Sequence, residues 1–298
     1  MLTVCIPVYN KDVTTLVTTL MKQINASNEN INVVLIDDKS SSSCVQTNKN
    51  ISKEVLFIPL DQNVGRSKIR NKFLEHTDSK YLLFLDCDSK IIKDDFIENY
   101  LKHLNQHEPK VLVGASVYTE NKPSRHFRLR WKYGSLKESK TYSERISDSN
   151  FSFKTNNFII SRTCFVENLF NETISGYGHE DTLFGHELRK KGIQIDHIDN
   201  PVLNDTLDTN QEFIVKTEEG LHNLLRVVQL TNHDESLVSS IKLLVYYNRY
   251  RSSGMFKLFF TIARKPIRYS LIKGCASLFW LDVYKLGYLI RIESSRNP

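Results

Sequence analysis

Two carboxylates one residue apart close the run Leu82-Leu83-Phe84-Leu85-Asp86-Cys87-Asp88-Ser89. The apolar part reads as a buried strand, and in extended backbone residues i and i+2 point to the same side. Two acids at the carboxyl end of a central strand stand where open α/β sheets bind ligands, and their mutual repulsion calls for a cation. Hard oxygen donors favour Mg²⁺ or Mn²⁺ over zinc. The plain alternative is a strand that ends in polar turn residues, since Asp-x-Asp alone is common. Two more runs strengthen the first reading. Val34-Leu35-Ile36 ends in Asp37-Asp38-Lys39-Ser40, and Val4-Cys5-Ile6 ends in Pro7-Val8-Tyr9-Asn10. Three strands then deliver polar groups to one sheet edge, as a nucleotide site requires.

Two other spots carry chemistry. In Asn63-Val64-Gly65-Arg66, with Arg70 one turn later, a glycine-led helix start brings two arginines to one helix face, where they can meet a diphosphate. A solvated basic face is the alternative. In Gly176-Tyr177-Gly178-His179-Glu180-Asp181-Thr182-Leu183-Phe184, glycines flank a turn and acids then open an amphipathic helix. Acids there are often only caps, stabilising by about 1 kcal/mol, yet they are also held rigidly, as a general base must be. Competing motifs are missing. No GxxxxGK[ST] or GxSxG occurs and no GxGxxG follows the first strand; His179-Glu180 and His186-Glu187 lack the second histidine of a zinc-protease helix.

The elements that must position these residues alternate. Strands are expected at Leu2–Pro7, Asn32–Asp37, Val55–Pro59, Tyr81–Asp86 and Val111–Tyr118, with Asn157–Ser161 further on. Helical stripes fall between them: Val13, Leu16, Val17, Leu20 and Ile24, then Arg66–His76, then Phe96 to Leu104. A helix from Glu180 to Lys191 follows, with Gly192 in place for a cap. Such alternation predicts an α/β fold with a doubly wound, mostly parallel central sheet flanked by helices. Thr119–Phe153 breaks the pattern, being polar, without sustained period, and holding a basic–aromatic knot at Arg125–Tyr133, so it reads as a long loop. From Gln211 the chain is mostly helical in period. The expected division is a catalytic domain over 1–210, with a nucleotide-binding half 1–118 and an acceptor-binding half 119–210, and a helical extension over 211–298.

Length and charge set outer bounds. The chain has 298 residues, 40% hydrophobic and 25% charged, with a net charge of +6, which excludes a disordered tail. Residues 241–298 hold 11 Lys/Arg against Asp282 and Glu293, a net of +9, so the rest carries −3. A basic tail behind an acidic body suits an anionic partner for the tail alone. Five scattered cysteines exclude a disulfide scaffold and a thiolate zinc site. No apolar stretch of 18 residues occurs, and a strand-like run starts directly after Met1, leaving no room for a signal peptide, so a cytoplasmic protein is expected.

Taken in order, Val4–Asn10, Val34–Ser40, Asn63–Arg66, Leu85–Asp88 and Gly176–Asp181 resemble the family 2 glycosyltransferases of the GT-A fold, over roughly residues 1–205. The longer strings Asp88–Ile92, Tyr177–Gly185 and His197–Leu203 look like a bacterial subgroup that builds surface polysaccharides. The resemblance implies an inverting transferase that uses a nucleotide-diphospho-sugar, most often UDP-linked, and a glycan or lipid-linked acceptor. On that template Pro7, Val8, Tyr9, Asn10, Asp37 and Asp38 hold base and ribose. Asn63, Gly65, Arg66, Arg70 and Cys87 belong to the donor site, and Asn156 and Asn157 to the sugar pocket. Asp86 and Asp88 would hold the Mg²⁺ or Mn²⁺. Asp181 would be the base, with Glu180 shaping the acceptor site. The family's usual histidine after the base helix is replaced in Val202-Leu203-Asn204-Asp205, where Asn204 or Asp205 would supply an oxygen or water would fill the position; nearby His197 fits better as a structural strand residue.

Two rival functions remain open at this stage. A sugar-phosphate nucleotidylyltransferase should show a Gly-rich, basic loop after the first strand, and Pro7–Lys11 lacks it. A non-catalytic carbohydrate-binding relic should have lost its acids, yet Asp86, Asp88 and Asp181 are all present. No nucleic-acid partner is expected. The extension's apolar residues, interleaved with Arg264, Lys265, Arg268, Lys273 and Lys285, suit either an anionic membrane surface, at the inner face of the plasma membrane, or packing within the protein.

Overall fold

The computed structural model describes residues 2–27, 29–147, 149–204 and 206–295. The chain forms two compact units. One comprises Met1–Thr119, Glu138–Thr173 and Glu180–Thr206; the other comprises Glu120–Lys137, Ile174–His179 and Leu207–Pro298.

The first unit is built on β1 (Leu2–Val8), α1 (Thr14–Ala26), β2 (Ile31–Asp37), α2 (Ser42–Lys49), β3 (Val55–Pro59), α3 (Arg66–Lys72) and β4 (Tyr81–Leu85). It continues through β5 (Ser89–Ile91), α4 (Phe96–His107), β6 (Val111–Val113) and β7 (Ser116–Val117). Its later elements follow α5 (Arg128–Tyr133), which lies in the other unit. They are α6 (Tyr142–Ile146), β8 (Asn157–Ser161), α7 (Arg162–Glu167), α8 (Glu180–Lys190), β9 (Ile195–His197) and β10 (Val202–Asn204).

Seven strands make one sheet in the order β3-β2-β1-β4-β8-β6-β9. The first four run parallel and β8 is antiparallel to both neighbours, so the sheet is mostly parallel, as the sequence predicts. Strand order reverses between β1 and β4, the kind of switch point outside whose carboxyl strand ends open α/β sheets bind ligands. The period of two decides the faces. Val4, Ile6, Leu83 and Leu85 pack under α1 and α4, whereas Cys5, Phe84 and Ile36 pack with Ile69, Phe165 and Phe184 on the other side.

The single strand expected at Val111–Tyr118 is two strands instead. Ala115 sits at φ +74°, which turns the chain, and a Cβ at Gly114 would lie 2.0 Å from the Tyr100 hydroxyl and 2.6 Å from Asn200 O. Only glycine permits that approach. Beyond the turn, β7 joins a small sheet of order β5-β10-β7, which sets Asn204 in register with Ser89. The long loop expected at Thr119–Phe153 is also corrected, since α5 and α6 form within it. Both are too short, at six and five residues, to show a helical period in sequence.

The second unit contains α5, α9 (Asn210–Leu230), α10 (Glu235–Ser240), α11 (Lys242–Tyr250), α12 (Gly254–Ile272) and α13 (Leu278–Ser294). Asn210 anchors α5: its backbone N–H donates to His126 O, its side-chain amide to Arg125 O, and its Oδ1 accepts from Leu129 N. Leu129 then packs with Phe213, Ile214, Phe260 and Leu281. The basic–aromatic knot is therefore a helix of this bundle. The glycine loop Ile174–His179, placed by sequence in the catalytic segment, also groups here. The Asn223 amide donates to Ser175, Tyr177 and Gly178 carbonyls, and Glu219 accepts from Tyr177 N. Among the described residues no helix is long and apolar enough to cross a membrane.

Candidate active site

The first unit brings the sequence-predicted residues to the carboxyl ends of β1, β2 and β4. Val8 and Asp37, the last residues of β1 and β2, are partners in register. Asn10 takes a left-handed φ of +49°, which asparagine tolerates, and ties the two turns together. Its N–H donates to Ser40 Oγ and its Oδ1 accepts from Ser41 N, both at 2.8 Å. Tyr9, beside it, is exposed.

The two acids after β2 have separate tasks. Asp37 is fully buried; its Oδ1 accepts from Ser40 N at 2.8 Å, while Oδ2 has no hydrogen-bond donor. Asp38 accepts from Val64 N at 2.6 Å and Gly65 N at 3.0 Å, and its carbonyl accepts from the Asn63 amide at 3.1 Å. Asp38 is therefore the clamp of the Asn63–Gly65 turn. Gly65 needs its freedom for φ +83°, since a Cβ there would meet nothing within 4 Å.

Asp86, Cys87 and Asp88 do not continue the strand. β4 ends at Leu85, and Ser89 N donates to Asp86 O at 3.0 Å, closing a tight turn in place of the extended geometry expected from sequence. Asp86 N is fixed to Asn156 O at 3.1 Å. Burial raises the Asp88 carboxyl above its ordinary value, the Asp86 charge adds to this, and the Arg66 and Lys11 cations oppose it. Burial likewise pushes the Cys87 thiol up to about 12, so it is a neutral group and not a nucleophile.

Arg70 is not presented to a ligand, contrary to the sequence reading. Its side chain is 2% exposed, and its Nη2 pairs with Asp86 Oδ1 at 2.9 Å. Its Nη1 lies 3.7 Å from Glu180 Oε1 and donates to Arg66 O at 3.1 Å. Arg66, on the same face and far more exposed, reaches the same Glu180 oxygen at 3.5 Å. A chain of charges, Asp86–Arg70–Glu180–Arg66, thus joins three motifs separated in sequence. A buried guanidinium is tolerable because carboxylates surround it. Glu180, buried and paired with both arginines, holds this network together.

Asp181 opens α8 beside it. Its Oδ1 accepts from Thr182 N at 2.7 Å, and its Oδ2 pairs with Lys154 Nζ at 2.6 Å. Its carboxylate thus lies at a helix start and against an ammonium. Asn157, expected in the sugar pocket, is fully buried. Its Oδ1 accepts from the Tyr100 hydroxyl, and its amide donates to Ala115 O and Asn200 O. With those bonds made it is a strut between strands, and Asn156, whose buried Oδ1 has no donor, is the neighbour with acceptor capacity to spare.

His197 ends β9, buried, between Arg145 Nη1 at 3.0 Å from Nδ1 and Ser149 O at 3.1 Å from Nε2. Burial first, then the Arg145 charge, lowers its pKa to about 4. It is structural, as the sequence reading holds.

Two residues escape sequence reasoning. Lys154 meets Asp181 across 27 positions and has no local signature. Lys11 acts on Asp88 and donates to Thr206 Oγ1 at 2.6 Å; its one signal is its place directly after the first strand's turn. For a cation, Asp86 and Asp88 are two hard oxygen donors, and the raised carboxyl of Asp88 is the state that a bound cation reverses, so the pair fits. Among the described residues no cluster of three or more His, Cys, Asp or Glu could hold a metal, so the pair would need further oxygen donors beside it. Asn204 stands in register beside this turn, while Asp205 lies outside the described residues.

Acidic strand ends at the order reversal of a mostly parallel sheet define the GT-A class of fold. The chain belongs to glycosyl transferase family 2, whose profile matches residues 3–168, more than half of it. It is 26% identical over 155 residues to a teichoic acid poly(glycerol phosphate) polymerase of Staphylococcus epidermidis, a match covering 50% of this chain and 21% of that one. It is 31% identical over 123 residues to an uncharacterized glycosyltransferase of Haemophilus influenzae, covering 40% of this chain and 48% of that one. The chain thus spans less than half the length of these curated relatives. In fold it is similar to the mannosyltransferase PcManGT from Pyrobaculum calidifontis, solved with GDP-Man and Mn²⁺. There the TM-score is 0.54 at 11% identity, covering 99% of this chain and 86% of that one.

Proposed function

We propose that this protein transfers a sugar from a nucleotide-diphospho-sugar, UDP-linked, to a hydroxyl of a glycan or lipid-linked acceptor in surface-polysaccharide synthesis, with inversion at the anomeric carbon. The observation that carries the reading is the charge chain Asp86–Arg70–Glu180–Arg66, which holds the Asp-Cys-Asp turn next to the head of the helix that bears Asp181. The polymerase relative named for teichoic acid supports the surface-polymer setting.

In this reading the turn Pro7–Asn10 and Asp37 receive the base and ribose, the free Asp37 Oδ2 accepting an N–H of the base. Asp38 acts at one remove by shaping the Asn63–Gly65 turn. Arg66, the exposed arginine of the pair, faces the diphosphate, and Asn156 contributes to the sugar pocket. Asp86 and Asp88 are the residues that would hold Mg²⁺ or Mn²⁺, with Asn204 at hand for an oxygen. When bound there, such an ion would supply positive charge against that of the departing diphosphate. Asp181 takes the proton of the acceptor hydroxyl. The acceptor oxygen forms its bond to the anomeric carbon as the carbon–diphosphate bond breaks, its electron pair leaving with the nucleoside diphosphate. Lys154, half exposed, pairs with Asp181 Oδ2 and orients it.

Release of nucleoside diphosphate with and without acceptor is the deciding measurement. Asp181→Asn should cut acceptor-dependent release by at least about 100-fold while donor affinity stays within a few-fold, because a base acts on the acceptor. Normal turnover, or a lost donor affinity, would reduce Asp181 to a helix cap.

A further inference from the structure

Helix α12 has two apolar faces, and only one is covered. Phe260, Ile267 and Leu271 are buried against neighbouring helices of the second unit, with Phe260 seated on Gly287 of α13. Met255, Leu258, Ile262 and Tyr269 recur three, four and seven residues apart along the opposite side. All four face solvent, Met255 at 86% and Ile262 at 73% exposure. At the start of α13, Phe279 and Trp280 are exposed as well, edge to face with each other. Single exposed apolar residues are ordinary, but four at helical spacing along one side of a helix, with an exposed aromatic pair on the next helix, are not.

The flank between the two faces is cationic. At 100° per residue Lys257, Arg264 and Lys265 fall on it, and α12 contains no acid over Gly254–Ile272. Arg268 is the cation of this helix spent internally, on Glu218. The stripe also contains Pro266, and no described helix is long and apolar enough to cross a bilayer, so α12 has the make-up of a helix that lies in an interface.

We propose that the outward face of α12, with Phe279 and Trp280, docks on an anionic lipid surface. The apolar side chains enter the headgroup boundary while Lys257, Arg264 and Lys265 meet lipid phosphates. Charge selects this occupant over a second copy of the chain, because residues 241–298 carry +9 and two such surfaces repel. Phe and Trp side chains are also suited to the boundary between headgroups and acyl chains. The proposal is independent of the sugar chemistry.

Co-sedimentation of the full chain with vesicles tests it. Vesicles of phosphatidylcholine mixed with phosphatidylglycerol should bind the protein, and phosphatidylcholine alone should bind it at least tenfold less. Rising salt should weaken the attraction. The double variant L258S/I262S and the double variant K257Q/K265Q should each reduce binding to mixed vesicles about tenfold with unchanged thermal unfolding, since all four side chains are exposed. Trp280 offers a readout without disrupting the stripe: its fluorescence should shift to the blue with mixed vesicles, and Trp280→Phe should abolish the shift. The proposal is overturned if mixed vesicles bind no protein or if both double variants bind like the parent. It is equally overturned if the parent is a dimer that L258S/I262S converts to a monomer, which would assign the stripe to a second copy.

Discussion

Two strands of the first unit end in what sequence presents as the same signal, a pair of acids, and the fold uses them in opposite ways. After β2, Asp38 is consumed by the N–H groups of Val64 and Gly65 and serves the backbone. After β4, Asp86 is matched to the buried Arg70, and Asp88 is left with a carboxyl raised by burial and by its neighbour. A carboxylate that accepts backbone N–H bonds is settled and stabilising, whereas one held beside another acid in a partly buried turn is held for something that brings positive charge. The partners supplied from elsewhere in the chain, and not the acids themselves, distinguish a carboxylate tied to backbone N–H groups from one held beside another acid.

That contrast can be broken most sharply at Asp88. Asp88→Asn should lower transfer by about 100- to 1000-fold, the scale of losing one preorganised electrostatic group, and chelation by EDTA should do the same to the parent. Its thermal stability without metal should hold or rise. The sign follows from linkage: an acid whose folded pKa is raised costs stability above that pKa, and the substitution removes the cost. Full turnover after exhaustive EDTA dialysis would remove the cation from the turn.

Arg70→Met should act on stability first, lowering it by about 3–5 kcal/mol, because it removes the cation paired with Asp86 and leaves the buried Glu180 with Arg66 alone. A melting curve like the parent's would show that the charge chain does not hold the site together. Asp38→Ala should cost less, about 1–3 kcal/mol for two N–H groups left without acceptors, and it should weaken donor binding only through the displaced turn. If Asp38→Ala instead matched Asp88→Asn, lost activity with stability intact, the contrast between the two strand ends would collapse.

His197 extends the comparison to the end of β9, where the buried ionisable group is a base. Its folded pKa of about 4 lies below the ordinary histidine value, so between that value and pH 4 the unfolded chain binds a proton that the folded chain does not. Stability should be full near neutral pH and fall as the pH drops, by about 2 kcal/mol at pH 5. Chemical denaturation of the parent and His197→Asn at pH 7 and pH 5 would check it, since the variant should lack that part of the slope.

Much of this was legible in the residues. The alternation of apolar runs and helical stripes predicted a mostly parallel sheet flanked by helices, and the polar strand ends predicted that polar groups gather at one sheet edge. The order of the five motifs pointed to the family that the profile match over residues 3–168 then established. Less legible were features whose cause is not local. The strand at Val111–Tyr118 is broken by the approach of Tyr100 and Asn200 to Gly114, and α5 owes its place to Asn210, more than eighty positions away in sequence.

The sequence by itself determined which residue types stand at the strand ends and at the head of α8, because the periods of strands and helices and their glycine punctuation are written in neighbouring positions. Only the tertiary structure decided what each does. Arg70 and Asn157 read as ligand-binding residues until their partners are seen, and Lys154 carries no signal until Asp181 is beside it. The outward face of α12 likewise could not be told from its inward face, since both repeat at helical spacing. The physical reason is the same throughout: the cost or use of a charge or an apolar side chain depends on what surrounds it, and folding supplies those surroundings from distant parts of the chain.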